Sequence, residues 1–480
     1  MTGNTIQLAL HLSRISNAIE PRDYQIQIAE EVKYKNSLIV LPTSLGKTIC
    51  ALYVIDQHYE RGKVLLMAPT KPLIDQHIAF LRANYLIPPE DFLILSGNIP
   101  PKTRPEMWKN AKVIIATPQV IHNDLKNNRY TLSNVSLIVF DECHRCSGDY
   151  SYAPIADYYT EQNPNGCILG MTATLPKELD YIIEKFKIVT IAERSVQSAD
   201  VKEYTHEKTT KPIFVHLNAK CQYISGVISS IEEDARLKLR SLGYKISKSD
   251  VTMKTLEAVR KEAVHRSSRR EHSGFQGMAL YGVCMKMKHA RILIDTQSTI
   301  ALKDYFKEII NGDKGADKIL RSNHSFIEIC NTVLHMEEEH PKLNAIKDLV
   351  PRILNESDGK IIIFANYRVI VDAIIDIMND LKIPAMKFVG QAKQGLTQKK
   401  QLETMNKFRN GDFSVLVSTS IGEEGLDVPS TDTIIFYEPV ASKIRTVQRM
   451  GRTGRHADGT IYALITKNTA DERNYYKNRN

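Results

Sequence analysis

Short apolar runs, separated by stretches with helical spacing, constrain this chain more than any other feature. Leu38–Leu41, Val64–Met67, Val113–Ala116, Leu137–Phe140 and Ile168–Met171 form one set. Ile361–Phe364, Val415–Val417, Thr433–Phe436 and Tyr462–Ile465 form a second. A strand that is apolar at every position, and not only at alternate ones, buries both faces. Such strands spaced by helices build parallel sheets covered on either side. The pattern therefore predicts an α/β fold with two parallel-sheet domains, over residues 1–205 and 331–480.

Residues 206–330 lack such runs. Leu237, Leu239 and Leu242, then Leu256, Val259 and Ala263, then Ile292, Leu293 and Ile300 recur at helical spacing. This predicts an all-helical insert between the two α/β domains. Gly274 and Gly277 are expected to interrupt one helix, and Asn311-Gly312-Asp313 with Gly315 another.

The insert also carries the charge. Between Arg236 and Arg291 there are 14 Lys and Arg against 4 Asp and Glu, while the net charge of the whole 480-residue chain is only +9. A basic segment on a nearly neutral chain suggests a polyanionic partner, most simply nucleic acid held through its phosphates. Lys254, Arg260, Arg266, Arg269 and Arg270 are the candidate contacts. No apolar run approaches the ~18 residues a membrane span needs, and no signal peptide is expected. The 7 cysteines are scattered, which suits reduced thiols in the cytosol. Cys143 and Cys146 have CxxC spacing, but a structural zinc needs four ligands and no second CxxC exists.

Chemistry concentrates where strands end. Leu41-Pro42-Thr43-Ser44-Leu45-Gly46-Lys47-Thr48 follows the first run and opens a helix. Gly46 permits close backbone approach to phosphates, and the helix start offers unpaired N–H groups to them. Lys47 would reach the β- and γ-phosphates, and the Thr48 hydroxyl would bind Mg²⁺. Leu41 stands where the P-loop pattern has its leading glycine, and Ser44 where many helicases have glycine. Asp141-Glu142-Cys143-His144 follows the run Leu137–Phe140. Asp141 is suited to the metal and Glu142 to orienting the attacking water. Arg22-Asp23-Tyr24-Gln25 can read adenine, through a glutamine amide that donates and accepts. Arg452 and Arg455, three apart in Gln448–Arg455, can present two guanidiniums to a γ-phosphate.

Taken in order, these segments resemble the motif set of the superfamily 2 helicases. Arg22 to Gln25 resemble the adenine motif and Leu41 to Thr48 motif I. Ala68-Pro69-Thr70-Lys71-Pro72-Leu73 resembles motif Ia, and Ala116-Thr117-Pro118-Gln119 motif Ib. Asp141 to His144 resemble motif II, as DECH where DEAH is usual. Thr172-Ala173-Thr174 resembles motif III and Ile363 to Arg368 motif IV. Ser418 to Pro429 resemble motif V, and Gln448 to Arg455 motif VI. The Gly-Glu-Glu-Gly-Leu-Asp form of motif V resembles the branch that holds archaeal Hef, the Fanconi anaemia group M translocase, RIG-I-like sensors and Dicer, and Phe388-Val389-Gly390-Gln391-Ala392 with Gly395-Leu396-Thr397-Gln398-Lys399 resembles the Hef and Fanconi anaemia group M subgroup within it.

The resemblance implies two RecA-like domains with ATP between them, and an activity on forked or branched DNA. It assigns Ser44, Gly425 and Asp427 to the nucleotide, and Thr70, Lys71, Thr117, Arg368 and Thr419 to the nucleic-acid backbone. Thr172, Thr174 and Gln448 would couple the two sites. The expected cofactors are ATP and Mg²⁺, in a cytoplasmic, nucleoid-associated protein. Euryarchaeal Hef continues into an XPF-type nuclease where this sequence stops at Asn480. The expectation is a helicase-only homologue or a fragment, with a separate XPF-type nuclease or sliding clamp as partner. The alternatives are a double-stranded-RNA-stimulated ATPase of the RIG-I and Dicer type, and a junction-binding scaffold that does not hydrolyse ATP.

Overall fold

The computed structural model describes residues 14–42, 45–176, 178–204, 208–246, 252–357, 359–390, 397–419, 431–439 and 459–477. The chain divides into two compact units, each with its own sheet.

The first unit holds seven strands: β1 (Ser37–Val40), β2 (Lys63–Met67), β3 (Phe92–Leu95), β4 (Val113–Ala116), β5 (Val135–Phe140), β6 (Cys167–Thr172) and β7 (Thr190–Glu193). Their order is β3-β4-β2-β5-β6-β1-β7, with every neighbouring pair parallel. The two faces of this sheet have separate cores. Ile39, Leu41, Val64, Leu66, Val139 and Met171 pack on one side. Leu38, Val40, Leu65, Met67, Ile138 and Phe140 pack on the other. Period-two alternation within an all-apolar run thus feeds both cores at once.

The second unit holds β8 (Lys208–Val215), β9 (Ile361–Phe364), β10 (Ala385–Phe388), β11 (Val415–Ser418), β12 (Thr433–Phe436) and β13 (Gly459–Thr466). Their order is β10-β11-β9-β12-β13-β8. The pairs from β10 through to β13 are parallel. β8 opens the stretch predicted to be an all-helical insert, and it forms the edge of this sheet.

The insert's helices include Ala219–Ser241, Met253–Ser268, His272–Ile292, Thr299–Asn311, Gly315–Arg321 and His324–Leu334. Several start at a side chain that accepts a backbone N–H left over by the first turn. Asn218 takes the N–H of Cys221, Thr252 that of Thr255, Ser298 that of Ala301 and Asn323 that of Phe326. Gly274 and Gly277 do not interrupt a helix; both lie inside His272–Ile292. They are small because neighbours press on them. A Cβ at Gly274 would come within 2.3 Å of the Ser267 nitrogen, and one at Gly277 within 2.1 Å of the Tyr244 hydroxyl. Asn311-Gly312-Asp313 does separate two helices.

The insert shares its core with the second sheet: Ile228, Leu239 and Phe306 join Val350, Ile361, Ile363 and Leu464 in one apolar cluster. A buried ionic latch reinforces this contact. His272–Ile292 ends in a wider π-helical turn, Leu293–Gln297. Lys342, with a wholly buried side chain, donates to the Thr296 carbonyl at 2.9 Å and to Asp471. Its ammonium also lies 5.2 Å from the centre of the Tyr437 ring, whose hydroxyl donates to the Gln297 carbonyl.

Candidate nucleotide and nucleic-acid sites

The nucleotide cluster stands at the carboxyl ends of β1, β5 and β6. After β1 the chain reaches Gly46, which caps the helix Lys47–His58 in the left-handed region at φ 79°. Only glycine adopts that conformation cheaply. A Cβ there would also come 2.4 Å from Gln25 Nε2. Gln25, itself buried, donates from that nitrogen to the Leu45 carbonyl at 3.2 Å and accepts the Arg22 N–H at 3.1 Å. Tyr24 donates to the same Leu45 carbonyl at 2.7 Å. Tyr24 and Gln25 thus hold the end of the loop before Gly46.

β5 delivers Asp141 and Glu142. Asp141 is buried and accepts from His77 Nε2 at 2.8 Å and from the Glu142 N–H at 2.9 Å. Burial on its own raises a carboxyl's pKa. The His77 hydrogen bond and the charges of His77 and Lys47 outweigh it here and hold Asp141 below its usual range. Asp141 is therefore an anion at neutral pH. Glu142 sits in the left-handed region at φ 49°, a strained conformation for a non-glycine residue. Tyr152 donates to the Asp141 carbonyl at 2.7 Å and fixes the turn from below.

Hydrogen bonds join Lys47, Leu41, Thr172 and His144 into one line. Lys47 Nζ donates to the Leu41 carbonyl at 3.0 Å, and the Leu41 N–H donates to the Thr172 carbonyl at 3.0 Å. The Thr172 hydroxyl donates to the Thr174 carbonyl at 3.0 Å and lies 3.2 Å from His144 Nδ1. That hydroxyl has spent its proton on Thr174, so His144 Nδ1 is the donor to it. The same nitrogen lies 3.3 Å from Glu142 Oε2. Burial, then the charge of Arg145, lowers the His144 pKa to about 4, so the imidazole is neutral. Motifs I, II and III are thereby wired together through His144.

Cys143 and Cys146 point into the apolar core, and burial pushes both thiols up, Cys146 to about 12. Among the described residues no three His, Cys, Asp or Glu gather as a metal cage. Mg²⁺ beside a nucleotide needs only one or two protein ligands besides phosphate, and an ionised Asp141 near the Thr48 helix start fits that need.

Two family patterns match: DEAD/DEAH box helicase over residues 22–182 and Helicase conserved C-terminal domain over 341–457. The solved helicase domain of Hef from Pyrococcus furiosus is 37% identical. The match covers 96% of this chain and 98% of that one, with a TM-score of 0.75. The chain belongs to the Hef and FANCM type of superfamily 2 helicases. Among curated relatives, a Methanocaldococcus jannaschii protein named as a candidate ATP-dependent RNA helicase is 35% identical over 96% of this chain and 60% of its own length. The Drosophila melanogaster DEAD-box ATP-dependent DNA helicase Fancm is 29% identical over 94% of this chain and 33% of its own length. The chain thus spans 60% of one relative and a third of the other.

In this helicase the residues expected at nucleic acid occupy several settings. Thr70 and Thr117 are half-buried and cap the helices Lys71–Asn84 and Pro118–Lys126, beyond the paired strands β2 and β4. Neither hydroxyl caps its own helix, and Lys71 is exposed. Arg368 donates to the Gly390 carbonyl at 2.9 Å, and the Thr419 N–H donates to the Phe388 carbonyl at 3.2 Å. Both brace the segment after β10. In the insert, Lys254, Arg269 and Arg270 are exposed, and Arg260 pairs with Glu257 at 2.6 Å. Arg266 departs from the expectation. It donates to the Leu242 carbonyl at 2.8 Å, pairs with Glu262 and stacks 4.2 Å over the Tyr244 ring. It is taken up in joining two helix ends. Ser44, Gly425, Asp427, Gln448, Arg452 and Arg455 lie outside the described residues.

His77, Tyr152 and the linking role of His144 were not anticipated. His77 carries a sequence signal: it falls in the apolar stripe Ile74, His77, Leu81 of its helix, all buried. A histidine in a core-facing stripe needs a polar partner, and Asp141 is that partner.

Proposed function

We propose that the chain is an ATP-driven translocase that acts on forked or branched DNA, with a first domain over 1–205, a basic insert over 206–330 and a second helicase domain over 331–480. The hydrogen-bonded line from Lys47 through Leu41 and Thr172 to His144, whose Nδ1 lies 3.3 Å from Glu142 Oε2, is the observation that carries this reading. It gives a phosphate-binding group and a water-orienting group one shared support.

The roles follow from the chemistry of each group. Gly46 and the helix start receive phosphate oxygens on backbone N–H groups. Lys47 moves from the Leu41 carbonyl to the β- and γ-phosphates. Thr48 and Asp141 would hold Mg²⁺, which when bound neutralises charge on the phosphates. Glu142 orients the attacking water. Arg452 and Arg455 meet the charge that develops on the γ-phosphate. Arg22 and Gln25 read adenine, and Ser44, Gly425 and Asp427 contact the nucleotide. Thr70, Lys71, Thr117, Arg368 and Thr419 hold the strand's phosphates. Thr172, Thr174 and Gln448 carry the state of the nucleotide to them.

DNA is favoured over RNA because Drosophila Fancm is named a DNA helicase, and the segment Phe388–Ala392 resembles the Hef type. The test is ATP turnover of the full chain with forked DNA, a four-way junction, linear duplex, single-stranded DNA or double-stranded RNA. Forked and four-way DNA are expected to stimulate most. Strongest stimulation by double-stranded RNA would transfer the reading to the RIG-I and Dicer type.

A further inference from the structure

Two tyrosines hold Arg22, and one of them comes from the far end of the first unit. The Arg22 guanidinium lies 5.0 Å over the centre of the Tyr204 ring. Its Nη1 donates to the Tyr24 hydroxyl at 3.3 Å, and that hydroxyl donates in turn to the Leu45 carbonyl before Gly46. The Tyr24 and Tyr204 rings are tilted against each other, with centres 5.6 Å apart. Tyr204 is itself fixed. It follows the short helix Ala199–Lys202, and its N–H donates to the Val201 carbonyl at 2.9 Å. Its ring packs half-buried against the core that contains Tyr24, Ile28 and Val201.

Gln25 is engaged differently. Its amide donates to the Leu45 carbonyl and, at 3.4 Å, to the Tyr24 hydroxyl, and it accepts the Arg22 N–H. That amide is turned toward the protein's own loop, whereas the Arg22 guanidinium keeps flat surface. A guanidinium is planar and stacks on aromatic faces. One face of Arg22 is taken by Tyr204; the residue is only half-buried, which leaves surface for a second flat group. A long arginine that samples many rotamers loses that freedom when a ligand binds. A ring under the guanidinium and a hydroxyl at its edge remove much of the loss before the ligand arrives.

We infer that Tyr204 is a positioning residue for the nucleotide: its ring holds the Arg22 guanidinium flat, and the adenine face stacks on the other side. This deepens the reading of Arg22 as an adenine contact and rests on it. Shortly beyond Tyr204, at Lys208, the chain enters β8 of the second sheet. The stack of base, guanidinium and ring therefore ends on the segment through which the chain leaves the first unit.

The full chain is assayed for ATP turnover on forked DNA. Inhibition of that turnover by inorganic triphosphate, which carries phosphates and no base, is measured beside it. Tyr204→Leu keeps apolar packing against the core and removes the ring face. It is expected to raise the KM for ATP about tenfold, with kcat and the inhibition constant of triphosphate unchanged. That split marks a loss in binding the base alone. Tyr204→Phe keeps the ring and loses only the hydroxyl, and is expected to keep the wild-type KM. An unchanged KM in Tyr204→Leu would overturn the platform. So would a parallel weakening of ATP and triphosphate, or a KM raised as far in Tyr204→Phe. If wild type turns over ATP on forked DNA in any of those cases, the translocase reading survives without it. A wild-type chain that does not turn over ATP overturns both.

Discussion

Each unit contains a buried ionic network, and the two are built to different ends. In the first unit His77, Asp141, His144 and Thr172 surround strand ends, and Glu142 and Lys47 remain half-exposed. In the second unit Lys342, Asp471 and Tyr437 are sealed, with Lys342 wholly buried and bonded on every side. The first network keeps a carboxylate ionised, a histidine neutral and a glutamate in a strained backbone conformation, features that serve chemistry. The second spends its charges on itself, and its product is geometry: it fixes the turn that ends His272–Ile292 to the second sheet. Burial of charge alone therefore does not mark a functional site. What marks it is a charged group held in place with an open side.

That contrast can be broken by substitution. Lys342→Met would leave Asp471 buried without its counter-charge and should lower the stability of the full chain by about 3–5 kcal/mol. The double variant with Asp471→Leu should recover most of that loss, because a buried ion pair is often replaceable by apolar side chains of similar volume. Urea unfolding of the two variants decides it. Equal losses in both would mean that the ammonium and carboxylate are not coupled.

A smaller effect sharpens the comparison through pH. The His144 pKa is lowered from 6.5 to about 4, and burial lowers that of His340, beside the latch, to about 3. Between those values and 6.5 the unfolded chain binds more protons than the folded one, so stability falls as pH falls through that window. His144→Gln should remove about 3 kcal/mol of this acid sensitivity and leave the His340 part in place. Unfolding followed from pH 7 to pH 4 would show it. An unchanged acid limb in His144→Gln would mean that the imidazole is not held neutral.

The strands read from sequence and those missed differ by position. Eight of the nine apolar runs fall within observed strands, the ninth overruns β1 by Leu41, and together they supply the interior of both sheets. The missed strands, β3, β7, β8 and β10, are the four edges. An edge strand is covered less completely, so it needs no continuous apolar run, although β3, Phe92-Leu93-Ile94-Leu95, has one. β7 reads Thr-Ile-Ala-Glu, and β8 carries lysines, threonines and Pro212. The nucleotide cluster was legible because Gly46-Lys47-Thr48 and Asp141-Glu142 follow interior strands and backbone geometry fixes where they end up. His77 was not, since its partner lies 64 residues away and only the folded sheet brings them together. Arg266 looked like its neighbours Arg269 and Arg270 in sequence. Only the corner packed around Tyr244 separates a structural arginine from exposed ones.

The account stands on Lys47 and Glu142 serving one nucleotide from neighbouring strand ends. The direct measurement is ATP turnover by the full chain on forked DNA, for wild type, Lys47→Ala and Glu142→Gln. Each variant is expected to fold as wild type does and to turn over at least about a hundredfold slower. Wild-type turnover in either variant would contradict the assignment of the site.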